Sequence, residues 1–268
     1  MASVKILIRV LIFLQCTGLA AISILDGTSL GTYLYLYGNL AESLSYALNY
    51  GIAGTLSLVA IFSIYKVRPL ALFTMALIFG LESLFKTILG GSFASDLTLA
   101  AHMVRFSWPL LFGLVILFDG SWHSLRRRDV LFFFRLFIAV TFFVHGVEAL
   151  MMHPKFIDFI IVTNKKLEFL PATEAFARQA LIGIGIVDLL VAVILVFKPV
   201  RWVLAYMVFW GALTASIRYV YADTQGIPDV MIRAPHYCVP MLIWILSKYR
   251  MQTRPEVGRT QKTLVADA

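Results

Sequence analysis

Long apolar segments alternate with short polar connections along the whole chain. A bilayer core about 30 Å thick is crossed by roughly 20 apolar residues in a helix. The apolar segments are continuous and do not alternate with period two, which indicates helices and not the strands of an outer-membrane barrel. The pattern predicts eight membrane-spanning helices, at about 5–25, 44–65, 69–89, 104–119, 131–152, 178–197, 202–221 and 232–248.

The composition supports this prediction. Of the 268 residues, 60% are hydrophobic and 14% are charged, whereas about a quarter of the residues in a soluble domain are charged. These values exclude a soluble enzyme, a disordered chain and a fibrous repeat. We therefore expect an all-α, polytopic helical bundle in a lipid bilayer. Cys16 and Cys238 both lie in apolar segments, so their spacing indicates neither a disulfide framework nor a zinc site.

The net charge is +8, and the positions of the cations predict the topology. Lys and Arg are enriched in cytoplasmic loops. With the N-terminus inside, acidic residues such as Asp26, Asp96 and Asp229 fall outside. We predict a protein of the cell (inner) membrane with both termini in the cytoplasm. The excess of basic residues then sets this topology and contacts anionic lipid, and does not indicate nucleic-acid binding. The inner side then holds fifteen of the 23 cations: Lys5, Arg9, Lys66, Arg68, Arg126, Arg127, Arg128, Arg135, Lys198, Arg201, Lys248, Arg250, Arg254, Arg259 and Lys262.

The first apolar segment has the basic start of a signal peptide. Arg9 and Gln15 interrupt its apolar run, however, and its removal would leave an odd number of helices. We interpret it as an uncleaved first span.

The chain has the pattern of a duplicated unit. Residues 103–108 resemble residues 231–236, and each stretch is followed by a helix that contains a proline. We predict two parallel four-helix repeats, a degenerate first repeat at 1–125 and a second at 126–250, followed by a polar cytoplasmic tail at 251–268. An even number of spans in each repeat implies an axis along the membrane normal.

The outer connection at 153–177 is longer than the others. Its apolar residues are interleaved with Lys165, Lys166 and Glu168. This pattern is typical of a helix that lies in the membrane interface or covers a site as a lid.

Ionisable side chains inside membrane spans cost about 2.5–3.5 kcal/mol each on insertion scales, so each one is a candidate for function. They concentrate toward the outer side, mainly in the second half. We predict His145 and Glu148 as catalytic, because residues three apart share a helix face. The predicted substrate-binding residues are Asp188, Arg218, Arg233, His236 and Tyr237; Glu82, Lys86 and Arg105 occupy related positions in the first half.

Other interpretations of these residues stay open. The cluster around His145 and Glu148 is equally compatible with an internal salt-bridge network that only fixes helix packing. Arg218 and Arg233, taken singly, suit snorkelling side chains at the interface. His145 and His236 lie at similar depth in the membrane, so a haem or metal site is another interpretation, but no ligand spacing supports one. We therefore predict no metal site.

The second half resembles the DoxX-like family of four-helix membrane proteins. The resemblance rests on Arg135-Leu136, His145-Gly146 and the stretch Ile182 to Leu190, followed by a basic turn near Pro199. It covers about 130–248, with a degenerate copy at 5–120. Of the family positions, Arg135, Gly146 and Asp188 match. This chain has Glu148 and Ala149 where the family has a lysine.

The resemblance implies an association with membrane redox chemistry. We expect an integral membrane component of a quinone- or sulfur-linked redox system, with its small-molecule site among the outer halves of the last four helices. An oxidoreductase subunit is one form that such a component takes. The sequence leaves the cofactor unknown; a quinone is a candidate and is favoured over a haem or a metal. The candidate partner is a soluble or membrane redox protein, and a homo-oligomer is also compatible. The alternatives are a transporter of a small anion or lipid-like molecule, and a non-catalytic scaffold for a partner enzyme.

Overall fold

The computed structural model describes residues 2–90, 93–168 and 170–252. These residues form twelve α-helices and three short 3₁₀ helices, with no strand among them, so the predicted all-α class is confirmed. The predicted tail at 251–268 lies outside the described residues, except for the two that end the last helix. The α-helices are α1 Ala2–Leu25, α2 Ser29–Leu36, α3 Glu42–Tyr65, α4 Pro69–Ile88, α5 Thr98–Ala101, α6 Met103–Asp119, α7 Arg128–Leu150, α8 Pro154–Leu167, α9 Glu174–Phe197, α10 Arg201–Ala222, α11 Ile227–Ile232 and α12 Ala234–Gln252; the 3₁₀ helices are Ser95–Leu97, Trp122–Arg126 and Asp223–Gly226.

Seven helical stretches within the described residues are long and apolar enough to cross a membrane. They match the first seven predicted spans in position, although the predicted spans 69–89 and 131–152 extend one and two residues further. α12 occupies the position of the eighth, but it is less apolar and is not among the seven, so an eighth span stays a prediction. The seven stretches are Ala2–Leu36, Glu42–Tyr65, Pro69–Ile88, Ser95–Asp119, Arg128–Leu150, Glu174–Phe197 and Arg201–Ile232.

The outer surface of the bundle is apolar and aromatic. Phe118, Phe197 and Trp202 are 78%, 82% and 84% exposed. Exposed apolar area on this scale is unfavourable in water and favourable in hydrocarbon. The surface is therefore that of a multi-pass protein whose helices contact a lipid bilayer.

Helix boundaries follow local sequence signals. α4 begins with Pro69, whose missing N–H is not needed in the first turn. Thr28 and Thr173 cap the N-termini of α2 and α9 by accepting hydrogen bonds from the backbone N–H groups of the residues three positions on. α6 ends at Gly120, which has a φ of +60°, a conformation that glycine adopts without strain.

The helices pack in pairs that correspond between the two halves of the chain. α1 packs on α3 and α4 on α6; in the same order, α7 packs on α9 and α10 on α12. The short helices correspond as well, because α2 contacts α3 and α4 while α8 contacts α9 and α10. Across the middle, α1 contacts α11 and α12, and α7 contacts α5 and α6.

One hydrophobic core runs through both halves. It includes Ile8 and Leu56 from the first half and Phe134 and Leu204 from the second, all at most 1% exposed. A smaller cluster beneath α8 contains Ala149, Ile157, Ala177 and Leu181. The halves therefore share a core and do not form separate globular domains.

A proline inside α6 explains one buried polar contact between helices. Pro109 cannot donate to the backbone carbonyl of Arg105, four residues earlier. That carbonyl instead accepts a hydrogen bond of 2.7 Å from the Gln15 side chain of α1. The indole of Trp108 donates to the Gln15 carbonyl oxygen at 2.8 Å. The fully buried Gln15 thus joins α1 to α6 and has both ends of its amide bonded.

Candidate functional site

A cavity of about 110 Å³ lies among α7, α9, α10 and α12, beneath α8. Its walls combine aromatic and aliphatic side chains with a few ionisable ones. Five of the seven predicted site residues line it, namely His145, Asp188, Arg218, Arg233 and His236. The aromatic walls come from Phe142, Phe156, Phe159 and Trp210. The structure thus brings together residues that are up to 91 positions apart in the sequence.

His145 and Glu148 form a hydrogen-bonded pair on one face of α7. The imidazole Nδ1 lies 2.9 Å from Oε2 of Glu148. Glu148 does not line the cavity and its side chain is 8% exposed, whereas the His145 side chain is 25% exposed. The hydrogen bond to the carboxylate therefore holds the orientation of the imidazole at the cavity.

Two glycines allow the helix that carries this pair to approach its neighbour. A Cβ on Gly185 of α9 would lie 2.8 Å from the backbone oxygen of Gly146 and 2.7 Å from Cγ of Leu150. A Cβ on Gly146 would lie 3.0 Å from the backbone oxygen of Gly185, so this crossing of α7 and α9 requires glycine at 185 and a small residue at 146.

Asp188 is a buried carboxyl group, 4% exposed, that binds two aromatic side chains of α10. The hydroxyl of Tyr206 donates to Oδ1 at 3.1 Å and the indole of Trp210 donates to Oδ2 at 3.3 Å. Among the described residues, no Lys, Arg or His lies within ion-pair distance of it. The residue is held by neutral donors across the helix interface and lines the cavity.

Two arginines and a second histidine complete the polar wall. The Arg218 guanidinium bonds to the backbone oxygen of Thr214 and lies 4.9 Å from the centre of the Phe159 ring. Arg233 lines the cavity and pairs with Asp229 at 3.2 Å.

The second histidine, His236 of α12, stacks on the first. The ring centres of His145 and His236 are 5.7 Å apart and their planes differ by 26°. Nδ1 of His236 lies 3.1 Å from the backbone oxygen of Arg233. Its Nε2 is buried and has no hydrogen-bond partner. A buried ring nitrogen without a partner is unfavourable by about 1–3 kcal/mol, which indicates a position that a ligand can satisfy.

Close contact between α10 and α12 depends on a proline and a glycine. Pro240 frees the backbone oxygen of His236, four residues earlier, from the helix hydrogen-bond pattern. That oxygen packs against Gly211, where a Cβ would lie only 2.7 Å away. His236 is thereby placed directly against α10 at the cavity wall.

The roof of the cavity is α8, within the connection predicted to be an interfacial helix or a lid. Phe156, Phe159 and Ile160 face the cavity. Lys166 holds the end of α8 to Asp223 at 3.3 Å, and both of these side chains are exposed. The helix is therefore a cover attached by apolar contacts, by the contact of Arg218 with Phe159 and by a surface ion pair.

His153 caps the start of this roof. Its Nδ1 accepts a hydrogen bond of 3.1 Å from the backbone N–H of Lys155, and its ring stacks on Phe156 with centres 4.5 Å apart. Partial burial lowers the pKa of His153 below its usual value, with Lys155 and His145 acting in the same direction and Glu148 opposing them. The neutral imidazole is the form that caps α8.

The remaining predicted residue, Tyr237, is not among the residues that line the cavity and packs against the main hydrophobic core. The aromatic walls and the donors to Asp188 were not predicted. Tyr206 and Trp210 carry no sequence signal beyond their residue type, because their role depends on how α10 is rotated against α9.

No three His, Cys, Asp or Glu side chains converge as metal ligands within residues 2–90, 93–168 and 170–252. Comparisons with protein-family models, with curated proteins and with solved structures give no match to this chain. The DoxX-like resemblance therefore stays a prediction.

Proposed function

We propose that the protein is a membrane component of a redox system and that its cavity binds a quinone. The observation that carries this proposal is the unpartnered Nε2 of His236 in the wall of an aromatic cavity, stacked on the hydrogen-bonded His145. A quinone ring is flat and apolar and carries carbonyl oxygens that accept hydrogen bonds. The guanidinium donors at one wall suit such an oxygen, and Phe142, Phe156 and Trp210 suit the ring. Nδ1 of His236 faces the Arg233 carbonyl, so Nε2 of the neutral imidazole is an acceptor and suits the hydroxyl of the reduced quinol.

The size of the cavity supports a ligand with a single ring. An apolar cavity of about 150 Å³ is known to hold benzene. The cavity here, about 110 Å³, has a similar size and is covered by α8. A ring with a long substituent fits if the substituent leaves between helices into the lipid.

The His145–Glu148 pair supports proton exchange with the bound ring. Reduction of a quinone to a quinol takes up two electrons and two protons. In this proposal the electrons come from a partner redox protein, and His145 transfers protons to the ring oxygens while Glu148 holds the imidazole in place. A histidine beside a carboxylate is suited to this role near neutral pH.

The test is quinone binding by the purified protein. We expect quinone to be extracted from the preparation and a short-chain quinone to bind with saturation. Substitution His145→Ala with Glu148→Ala should weaken binding at least tenfold and abolish quinone-linked proton uptake. His123→Ala is the matched control, since His123 lies in the 3₁₀ helix after α6. Unchanged binding in the double variant would overturn the assignment and favour the scaffold interpretation.

A second candidate function is transport of a small anion. The observation in its favour is Asp188, a buried carboxyl group in the cavity wall whose partners among the described residues are neutral donors, so that no ion pair there opposes its protonation. Reconstituted vesicles should then show proton-coupled anion flux that Asp188→Asn abolishes. Absence of flux for halides, thiosulfate and short carboxylates would rule this candidate out.

We also propose that the chain is a duplication with eight spans, two parallel repeats and both termini in the cytoplasm of the inner membrane. The paired helix contacts support it. α6 and α12 begin directly after His102 and Arg233, and both have proline as their seventh residue. Aligning the starts of these two helices places Arg105 opposite His236. The sequence resemblance between residues 103–108 and 231–236 gives an alignment that differs from this one by three positions.

A further inference from the structure

Arg218 of α10 is a cation in the cavity wall that has no acidic partner. The residue lines the cavity and lies within the apolar stretch Arg201–Ile232. It belongs to none of the ion pairs among the described residues. Its guanidinium bonds to the backbone oxygen of Thr214 and lies 4.9 Å from the centre of the Phe159 ring, and neither of these groups carries a charge. A cation in such a segment is costly without a counter-ion.

The turn after α10 and the roof of the cavity hold Arg218 in place. A Cβ on Gly226 would overlap the backbone oxygen of Arg218, so the 3₁₀ helix Asp223–Gly226 packs directly against the end of α10. Phe159 of α8 lies against the guanidinium. Lys155 of α8 lies 5.8 Å from the centre of the same ring and adds positive charge at the roof.

One edge of the Arg218 guanidinium remains available to a ligand. Nη1 bonds to the backbone oxygen of Thr214. Nε and Nη2 have no hydrogen-bond acceptor among the described residues, and neither atom is shielded from solvent. These two atoms carry parallel N–H bonds on one edge of the group, and their spacing matches the two oxygens of a carboxylate. The cavity wall therefore presents a donor pair that suits a carboxylate ligand.

The carboxyl groups of the neighbouring helices already have other partners. Asp229 pairs with Arg233 at 3.2 Å, and Glu148 bonds to His145 at 2.9 Å. The buried carboxyl group of α9 is bonded by two aromatic side chains of α10. The described part of the chain thus supplies no direct counter-charge to Arg218.

We propose that the cavity binds an aromatic carboxylate with a single ring, whose carboxylate pairs with the Nε and Nη2 edge of Arg218. The ring lies among the aromatic walls formed by Phe142, Phe156 and Trp210. The cavity, about 110 Å³, has the size for one ring. The proposal rests on the ligand cavity of the proposed function and not on its redox chemistry, and it extends the ligand class from neutral quinones to aromatic acids.

Saturation binding of radiolabelled benzoate to the detergent-purified full chain tests the proposal. We expect benzoate to bind with saturation. Benzamide, which has the same shape but no charge, should compete about tenfold more weakly or not at all. This comparison uses the unsubstituted protein, so it does not depend on the folding of a variant. Equal competition by benzamide, or the absence of saturable benzoate binding, would overturn the proposal.

Substitution of Arg218 tests which residue pairs with the carboxylate. Arg218→Gln removes the charge and should weaken benzoate binding about tenfold or more. Arg218→Lys keeps the charge but loses the paired N–H groups, so its affinity should lie between those of Arg218→Gln and the unsubstituted protein. Arg178→Gln is the matched control and should bind benzoate normally, since Arg178 forms an exposed pair with Glu174. Benzoate binding that Arg218→Gln retains would contradict the assignment.

The position of the ring is tested separately from the charge. Ile184→Phe fills the cavity wall and should abolish benzoate binding, whereas Ile182→Phe, on the outer surface, should retain it. Benzoate binding that persists in Ile184→Phe, or that chloride displaces at equal concentration, would indicate an anion site without the aromatic cavity and would overturn the proposal. Quinone is titrated on the same preparations without benzoate, so the binding of either ligand can fail alone.

Discussion

Nδ1 of His145 and Oε2 of Glu148 lie 2.9 Å apart across one turn of α7, with the imidazole at the cavity and the carboxylate behind it. A functional pair and a packing contact predict different results when this hydrogen bond is altered. Glu148→Gln keeps the shape and a hydrogen-bonding end but removes the charge. We expect quinone binding to weaken at least tenfold, equivalent to about 1.4 kcal/mol, with a much smaller change in stability.

A purely structural network predicts the reverse for the same substitution. The free energy of unfolding would then fall and quinone binding would be unchanged. Both quantities can be measured on one preparation, by unfolding in mixed detergent and by equilibrium titration. Glu174→Gln is the control, since Glu174 forms an exposed pair with Arg178 on α9.

Two glycines of α9 allow a matched comparison, because Gly185 lies at the crossing with α7 and Gly183 does not. Gly185→Ala should destabilise the protein by about 1–3 kcal/mol, because the new Cβ meets Leu150 and the backbone of Gly146 below 3 Å. A Cβ on Gly183 meets nothing within 4 Å. Gly183→Ala should therefore stabilise the helix by about 0.5–1 kcal/mol. Equal effects of the two substitutions on unfolding would contradict the described crossing.

The protein should remain stable when the buried carboxyl group of Asp188 is replaced by an amide, but not when it is replaced by an alkyl group. Asp188→Asn retains an oxygen that can accept from Tyr206 or Trp210. Asp188→Leu leaves both donors without a partner, and we expect a loss of about 1–3 kcal/mol for each. Unfolding in detergent measures the difference. If Asp188→Leu is as stable as Asp188→Asn, the donors have other partners and the described contacts are wrong.

The attachment of α8 should depend on pH through His153. Burial lowers the pKa of this histidine in the folded state, so the unfolded chain binds more protons between the two pKa values. The stabilisation is present above about pH 6.5, the ordinary histidine pKa, and is lost as the pH falls through the lower, folded-state value.

Hydrogen exchange of the α8 amides measures this effect. After correction for intrinsic exchange, protection should decrease as the pH is lowered from 7.5 to 5. In His153→Asn the cap retains an acceptor and does not titrate in this range, so the protection of α8 should not change with pH. A pH dependence that persists in this variant would assign the effect to another group.

The sequence predicted much of this arrangement and missed specific parts of it. The positions of the long helices follow from apolar runs, and the cluster of His145, Asp188, Arg218, Arg233 and His236 follows from the cost of ionisable groups in lipid. Both features can be predicted without knowing how each helix is rotated about its own axis.

Rotation explains what the sequence could not predict. Tyr237 follows His236 by one residue, about 100° around the helix, and so turns from the cavity to the core. Tyr206 and Trp210 contact Asp188 because they are four residues apart on the face of α10 that meets α9. The sequence also could not predict that Arg105 lacks an acidic partner, because this depends on the contacts of Glu82 with Ser29 and of Asp229 with Arg233.

The central claim is that a single-ring quinone binds in the cavity beneath α8. Quenching of Trp210 fluorescence by a short-chain quinone, measured in two variants of α9, tests it most directly. Ile184 lines the cavity, whereas Ile182, two residues earlier, is 44% exposed on the outer surface. We expect saturable quenching that Ile184→Phe abolishes and Ile182→Phe retains. Quenching that is unaffected by Ile184→Phe, or absent from the unsubstituted protein, would contradict binding in this cavity.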